Sequence, residues 1–142
     1  MERCVRLSDR YHDVDLLELS ASAWNGEFGG AIRLYVGRSA LGDTADALTG
    51  FPTNVEDKRE VMFGSFGPES GGGALSLHLS CIDRAGHCQL RLELESDPLY
   101  REAPLERVEL IAAFEPVALD SFVDQMKAMD SSLSGSAALQ FA

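Results

Sequence analysis

Residues 75–94 read LSLHLSCIDRAGHCQLRLEL, and this stretch decides the fold of the 142-residue chain. Leucine alternates with polar residues on both sides of Asp83–Gly86, a segment with the composition of a turn. With these four residues as the loop, two inward rows face each other: Leu75, Leu77, Leu79 and Cys81 lie opposite Leu94, Leu92, Leu90 and Cys88. A slip by one residue would turn a whole leucine row to water, so the pattern predicts a β-hairpin in this register.

The segments on either side of this hairpin continue its apolar face. Upstream, across the glycine-rich loop 67–73, Val61 and Phe63 are predicted to lie opposite Leu79 and Leu77. Downstream, across the loop 97–104, the inward residues of a further strand are predicted to face Leu94, Leu92, Leu90 and Cys88 in turn: Val108, Leu110, Ala112 and Phe114. The pattern therefore predicts consecutive antiparallel strands with one buried side.

A separate hairpin signal stands nearer the N-terminus, where Asn25-Gly26 divides two β-rich runs. Asn-Gly is favoured in two-residue hairpin loops because both positions need a positive φ. Such a loop pairs Leu19 with Ile32 on an apolar face. An additional strand is predicted near residues 3–7, with its apolar side chains directed inward.

Two amphipathic helices interrupt the strands. The first is predicted over 40–49, with Leu41, Ala45 and Leu48 as its buried stripe, and is followed by Gly50, which is typical of a helix end. The second begins at Pro116, and its apolar residues recur at helical spacing: Leu119, Phe122, Val123, Met126 and Met129.

These elements predict one α+β domain over residues 1–130. We expect an antiparallel β-meander sheet of six to seven strands with two helices packed on one face. The segment 131–142 is rich in Ser, Gly and Ala, and it is predicted to be a flexible C-terminal tail or at most a weakly docked edge segment.

Composition narrows the class of partner. The formal net charge is −11, from 23 acidic and 12 basic residues, so the surface repels phosphate backbones and nucleic-acid binding is not expected. The same charge attracts a basic protein and speeds its association, although solubility alone also explains the charge.

No apolar run approaches the ~20 residues of a membrane helix, and residues 1–6 lack the pattern of a secretory signal. Three cysteines without metal-type spacing favour a reducing cytoplasm.

The predicted register places two carboxylates directly opposite each other on the outward side of the sheet, Glu93 and Glu109. Like charges in opposite positions destabilise a sheet, so the pair is suited to a Lys or Arg of a partner, or it is simply solvated. Glu95 and Arg107 form the neighbouring pair. A catalytic carboxylate pair is the least favoured interpretation, because an open sheet face does not desolvate either group.

Trp24, at the tip of the first hairpin, completes the predicted partner-binding set of Trp24, Glu93, Glu95 and Glu109. Exposed tryptophans are enriched at interfaces, while the alternative is packing against a neighbouring strand. Further apolar side chains also point outward in the predicted register and would form a binding or homodimer surface if contiguous, with coverage by the tail or the N-terminal strand as the alternative: Leu16, Tyr35, Met62 and Phe66.

No residue set predicts catalysis, a metal site or a cofactor. Cys81 and Cys88 lie side by side and point inward, so we interpret them as buried thiols, and a directly cross-strand disulfide is geometrically poor. His87 points outward, away from them, and the chain has no Gly-x-Ser-x-Gly elbow. Gly71–Gly73 does not precede a helix, so it is a poor phosphate cradle.

As a pattern of elements over residues 14–130, the chain resembles the small acidic immunity proteins of bacterial polymorphic-toxin systems. The resemblance rests on the hairpin with Trp24, the helix end Leu48-Thr49-Gly50-Phe51-Pro52, the run of antiparallel strands and the closing helix after Phe114. It implies neutralisation of a toxin by protein–protein contact, without catalysis. We therefore expect a non-enzymatic binding module for a basic protein, with two alternatives: a ligand binder or enzyme with a pocket between sheet and helices, or a structural homo-oligomer.

Overall fold

The structure is a computed structural model that describes residues 1–68, 72–97 and 104–142. Over these residues it has eight strands and two helices. In chain order they are β1 (Cys4–His12), β2 (Leu16–Trp24), β3 (Gly29–Gly37), α1 (Ala40–Leu48), β4 (Arg59–Gly64), β5 (Ala74–Cys81), β6 (Cys88–Glu95), β7 (Arg107–Phe114), α2 (Pro116–Ser132) and β8 (Ser136–Gln140).

The α+β class is confirmed, but the single meander is wrong. The strands form two four-stranded antiparallel sheets, the first in the order β3-β2-β1-β8 and the second in the order β4-β5-β6-β7. β3 is an edge strand that contacts all four strands of the second sheet, so it crosses that sheet and does not extend it. Alternation within each strand specifies its buried face, but it does not specify which hairpins share a sheet.

The register of β5, β6 and β7 is confirmed at every predicted pair, including Leu77 with Leu92 and Leu92 with Leu110. The predicted register of β4 is wrong by two residues, because Phe63 lies opposite Leu75. The chain turns away already at Gly64, with φ +76°, where a Cβ would stand 2.2 Å from the carbonyl oxygen of Gly73. An even shift keeps the same side chains inward, so Phe63 is still fully buried.

The first hairpin is also shifted by two residues, since Leu19 lies opposite Leu34 and Trp24 opposite Gly29. The cause is the side chain of Asn25, whose Oδ1 accepts hydrogen bonds from the backbone N–H groups of Glu27 and Phe28, both at 2.9 Å. This arrangement centres the turn on Gly26-Glu27, one residue later than predicted. A shift of two residues again leaves each side chain on the same side of the strand, so the predicted inward face remains the buried one.

Both helices lie where the sequence predicts them. The predicted buried residues of both helices are buried in the structure: Leu41, Ala45 and Leu48 in α1, and Leu119, Phe122, Val123, Met126 and Met129 in α2. In α1, Thr44 is buried as well. The helices contact each other, α1 contacts β4, and α2 contacts β8. Within the described ranges, neither helix has the length and apolar character needed to span a membrane.

The structure differs from the flexible tail expected over 131–142. Ser136–Gln140 forms β8, which pairs with β1, and its residues 137–139 are buried. The Oε1 atom of Gln125 on α2 accepts a hydrogen bond of 2.8 Å from the N–H of Ala138, which satisfies a backbone group of this edge strand. Small residues at 137 and 138 let β8 fit against α2, so a composition that is typical of loops serves close packing here.

Candidate protein-binding surface

The side of the second sheet that points away from the leucine rows carries a mixed polar and apolar surface, here called the outer face. The cross-strand pairs place its residues in two neighbouring rows, one running from Glu60 through His78 and Arg91 to Ile111, the other from Met62 through Ser76 and Glu93 to Glu109. Because successive residues of a strand alternate between sides, these eight side chains share one surface.

The middle of the outer face holds an ion pair and a contact between a histidine and a carboxylate. Nη1 of Arg91 lies 3.3 Å from Oε1 of Glu93, and Nε2 of His78 lies 3.6 Å from Oε1 of Glu60. Ser76 lies between these pairs and is 3% exposed. The polar centre is therefore ordered before any partner arrives, which lowers the entropic cost of binding through it.

The predicted apposition of Glu93 and Glu109 is present in the register of β6 and β7. The repulsion between the two carboxylates is partly offset, since Arg91 stands on the same side as Glu93 and pairs with it. Glu109 is exposed and makes no ion pair with another described residue. The outer face thus presents one uncompensated carboxylate beside a compensated one.

Glu95, predicted to belong to the partner-binding set, is not on the accessible surface. Its side chain is 2% exposed, Oε1 accepts a 2.7 Å hydrogen bond from the N–H of Gly67, and Oε2 accepts a 3.1 Å bond from Nε of Arg107. The carboxylate raises the pKa of Arg107, chiefly through that hydrogen bonding. The ring of Phe66 lies 5.2 Å below the same guanidinium, so the segment after β4 folds over this end of the sheet.

Trp24 is partly buried on the first sheet, and the structure does not place its indole on the outer face. The indole lies over Gly29, where a Cβ would come within 2.9 Å of Cε3. The neighbouring Asn25 does reach the second sheet, since its Nδ2 donates a 3.0 Å hydrogen bond to the carbonyl of Ile111. The packing alternative for Trp24 is therefore the one that the geometry favours, and glycine at 29 is its sequence signal.

Apolar exposure on the outer face comes from its two edge strands. Met62 on β4 is 50% exposed and Ile111 on β7 is 51% exposed. Ile111 is a contact candidate that the sequence prediction omits, although its place opposite Arg91 gives it an outward side chain. The predicted four-residue dimer patch is divided, because Leu16 belongs to the first sheet, while Tyr35 and Phe66 are half-buried.

The described residues bring together no group of three or more His, Cys, Asp or Glu side chains able to hold a metal ion. Cys81 and Cys88 lie opposite each other as predicted, and Cys4 is buried in β1 of the other sheet. His87 turns instead to Asp83 in the same loop, with Nδ1 and Oδ2 2.7 Å apart. This hydrogen bond raises the pKa of His87.

A second surface feature is a groove of about 680 Å³ between the two sheets, beside residues 29–31 of β3 and the adjoining ends of β6 and β7. Charged side chains of both signs line it: Arg10, Arg33, Arg107, Asp97 and Glu106. Two of the arginines already hold carboxylates, Arg10 that of Glu18 at 3.3 Å and Arg107 that of Glu95. The groove is not the predicted pocket between sheet and helices, because the apolar stripes of both helices are buried in the core.

Comparisons with protein-family models, with curated proteins and with solved structures find no match to this chain.

Proposed function

We propose that the protein is a non-enzymatic binding module that holds a basic protein partner through the outer face. The observation that carries the proposal is the pair of exposed apolar side chains, Met62 and Ile111, on either side of an ordered polar centre. Exposed apolar side chains can serve as anchors of an interface, and polar groups that are already paired within the protein cost less to bury beside them than unpaired charges do.

The charge of the chain supports a basic partner. A formal net charge of −11 steers cations toward the molecule over the Debye length of about 8 Å at physiological ionic strength. On the outer face, Glu109 offers an exposed carboxylate without an ion-pair partner among the described residues. A Lys or Arg of the partner placed there would bridge Glu109 and Glu93 and relieve their mutual repulsion.

The resemblance to immunity proteins gives the proposal its most specific form. In that form the partner is a bacterial toxin, the complex forms in the cytoplasm, and binding blocks the toxin without any chemical step. On the outer face, Glu93 and Glu109 remain candidates for contact. Trp24 packs over Gly29 on the first sheet, and Glu95 is buried beside Gly67 and Arg107, so neither contributes to this surface.

The experiment reads the genes beside the one that encodes this protein and pairs the protein with the product of any toxin-like reading frame found there, in co-expression and then in titration calorimetry. Two variants make the same chemical change at two places: Ile111→Lys on the outer face and Val117→Lys on α2, where Val117 is 68% exposed. We expect Ile111→Lys to weaken binding at least tenfold and Val117→Lys to weaken it less than threefold.

Equal losses in the two variants would mean that only bulk charge matters, and that result would reject the outer face. Affinity that does not change between 0.1 M and 1 M salt would reject the electrostatic part of the proposal, since the Debye length shortens from about 10 Å to about 3 Å over that range. A fall in affinity with salt together with a selective loss in Ile111→Lys would support both parts.

Self-association through the same face is the structural alternative. Two copies that associate through this face would bury the carboxylate of Glu109, unpaired among the described residues, together with Met62 and Ile111, which costs free energy. Sedimentation velocity at high protein concentration distinguishes a binding module for another protein from a homo-oligomer, because a monomer at high concentration eliminates the homo-oligomer.

The groove favours a second candidate function, the binding of a small anionic ligand. Its volume of about 680 Å³ lies within the usual range for ligand sites of about 300–1,000 Å³. The arginines that already hold Glu18 and Glu95 weaken this candidate, because a ligand anion must compete with those carboxylates. A screen of carboxylates and phosphates by thermal shift, repeated with Arg10→Gln, tests it, since a ligand shift that this variant abolishes supports the candidate and the absence of any shift rejects it.

A further inference from the structure

The geometry of the two cysteines in the central hairpin determines whether they can form a disulfide. Cys81 and Cys88 are opposite each other at the last pair of β5 and β6. The next pair outward is hydrogen-bonded, because the N–H of Ile82 donates to the carbonyl of His87 at 2.8 Å. Hydrogen-bonded and non-hydrogen-bonded pairs alternate along an antiparallel ladder, so Cys81 and Cys88 form a non-hydrogen-bonded pair.

This assignment sets the distance between the two residues. The Cα atoms of a non-hydrogen-bonded pair are about 4.5 Å apart, with their side chains close together. Disulfides span Cα separations of about 4.4–6.8 Å, so the pair falls at the short end of the allowed range. The short spacing strains a cross-strand disulfide and makes it easy to reduce, but it does not prevent its formation.

The two thiols differ in their surroundings. Cys88 is fully buried, whereas Cys81 is partly exposed, and its Sγ donates a 3.6 Å hydrogen bond to the carbonyl of Asn54. Burial and the adjacent Cys81 thiol raise the pKa of Cys88 to about 11. The loop 83–86 between them is exposed, so a small oxidant reaches the pair from the Cys81 side.

We infer that Cys81 and Cys88 are a reversible oxidation site that reacts with a hydroperoxide and closes to a cross-strand disulfide. The inference is independent of the proposed partner and of the outer face, because both thiols belong to the core side of the sheet.

Two steps account for all atoms and electrons. In the first, the Cys81 thiolate attacks one oxygen of the hydroperoxide; an S–O bond forms, the O–O bond breaks, and the leaving oxygen takes a proton, which gives Cys81 sulfenic acid and an alcohol or water. In the second, the sulfur of Cys88 attacks the sulfur of Cys81; the S–S bond forms, the S–O bond breaks, and the departing hydroxide takes the Cys88 proton as water. Two thiols lose two electrons in total, and these reduce the peroxide bond.

The test uses the trypsin site at Arg84, which separates the two cysteines. The folded protein is treated with hydrogen peroxide, remaining thiols are alkylated after denaturation, and the tryptic digest is analysed by mass spectrometry. We expect peptides 60–84 and 85–91 to appear as one species that is two hydrogen atoms lighter than their sum. Addition of dithiothreitol should release both peptides with free thiols.

Single variants, each checked for native circular dichroism, separate the roles of the cysteines. In Cys88→Ser, we expect the reaction to stop at a Cys81 sulfenic acid that dimedone traps. In Cys81→Ser, Cys88 should remain fully alkylatable at the same peroxide dose, and Cys4→Ser should form the linked species as the wild type does. Conversion of Cys81 to sulfinic acid without linked peptides, or loss of the link in Cys4→Ser, would overturn the inference.

Discussion

The side chain of Asn25 joins the two sheets, because its Nδ2 donates a 3.0 Å hydrogen bond to the carbonyl oxygen of Ile111. That carbonyl belongs to the outer edge of β7, where an unpaired backbone group would invite association with another strand. The backbone N–H of Ala142 closes the same edge two residues further on, at the carbonyl of Ala113, at 2.8 Å. The turn of the first hairpin therefore protects the second sheet.

Substitution of Asn25 should separate its two roles. In Asn25→Ala, the turn loses both acceptor bonds to Glu27 and Phe28 as well as the bond to Ile111, and we expect a loss of about 1–2 kcal/mol in unfolding free energy. Asn25→Asp keeps the acceptors and loses only the donor, so it should fall between Ala and wild type. Urea unfolding followed by circular dichroism measures both. An Asp variant as stable as wild type would show that the bond to Ile111 adds no stability.

The glutamates of β6 should differ sharply in their contribution to stability. In Glu95→Ala, the N–H of Gly67 and the guanidinium of Arg107 both lose their hydrogen bonds to a buried carboxylate, so we expect a cost of about 1–3 kcal/mol. Glu93→Ala is the matched control, since its pair with Arg91 is partly exposed and should contribute no more than about 1 kcal/mol. Equal costs in urea unfolding would contradict the burial of Glu95.

Substitutions in β8 should reveal whether this segment is part of the core. Leu139 is fully buried, and Leu139→Ala should cost about 2–5 kcal/mol through lost burial and the cavity that remains. The adjacent Gln140 is exposed, and Gln140→Ala should change stability by less than about 0.5 kcal/mol. Guanidinium unfolding compares the two variants. A negligible effect at both positions would restore the flexible tail.

The pH dependence of the loop 83–86 follows from the pair Asp83 and His87. Their hydrogen bond raises the pKa of His87 above 6.5 and lowers that of Asp83 below 3.8. The contribution of His87 is complete below pH 6.5 and is lost as pH rises through its folded pKa, while that of Asp83 is complete above pH 3.8 and is lost as pH falls through its own. Both contributions are therefore complete between pH 3.8 and pH 6.5, where the pair favours the folded loop most strongly.

An NMR titration of the His87 ring protons tests this interval. The midpoint should lie above 6.5 in the wild type and return toward 6.5 in Asp83→Asn. Glu60→Gln, which removes the partner of His78 and leaves the loop intact, should not move the His87 midpoint. A wild-type midpoint at or below 6.5 would contradict the raised pKa.

Local patterns predicted most of the second sheet. The leucine rows specified β5, β6 and β7 with their register, and the apposition of Glu93 and Glu109 followed from it, because a one-residue slip would have exposed every leucine. The errors at β4 and at the first hairpin are both shifts of two residues. Such shifts leave the buried face unchanged, so hydrophobic alternation cannot detect them, and the turn residues Gly64 and Asn25 decide instead.

The remaining differences arise from contacts between distant parts of the chain. Pairing of β1 with β8 joins Cys4 to Gln140, and no local pattern marks that partnership. Burial of Glu95 depends on Gly67, which returns over the sheet from the preceding loop. The predicted binding set treated Glu95 as surface because an outward position on a strand is exposed only where nothing folds back across it.

The position of β1 between β2 and β8 has a consequence for synthesis on the ribosome. The hairpins of the second sheet join consecutive segments, so they can close as soon as each has emerged. The first sheet must wait with one side of β1 unpaired until Ser136–Gln140 has been translated. During that interval the nascent chain carries an open template for misassociation, and chaperone dependence should concentrate in the period before Ser136–Gln140 has emerged.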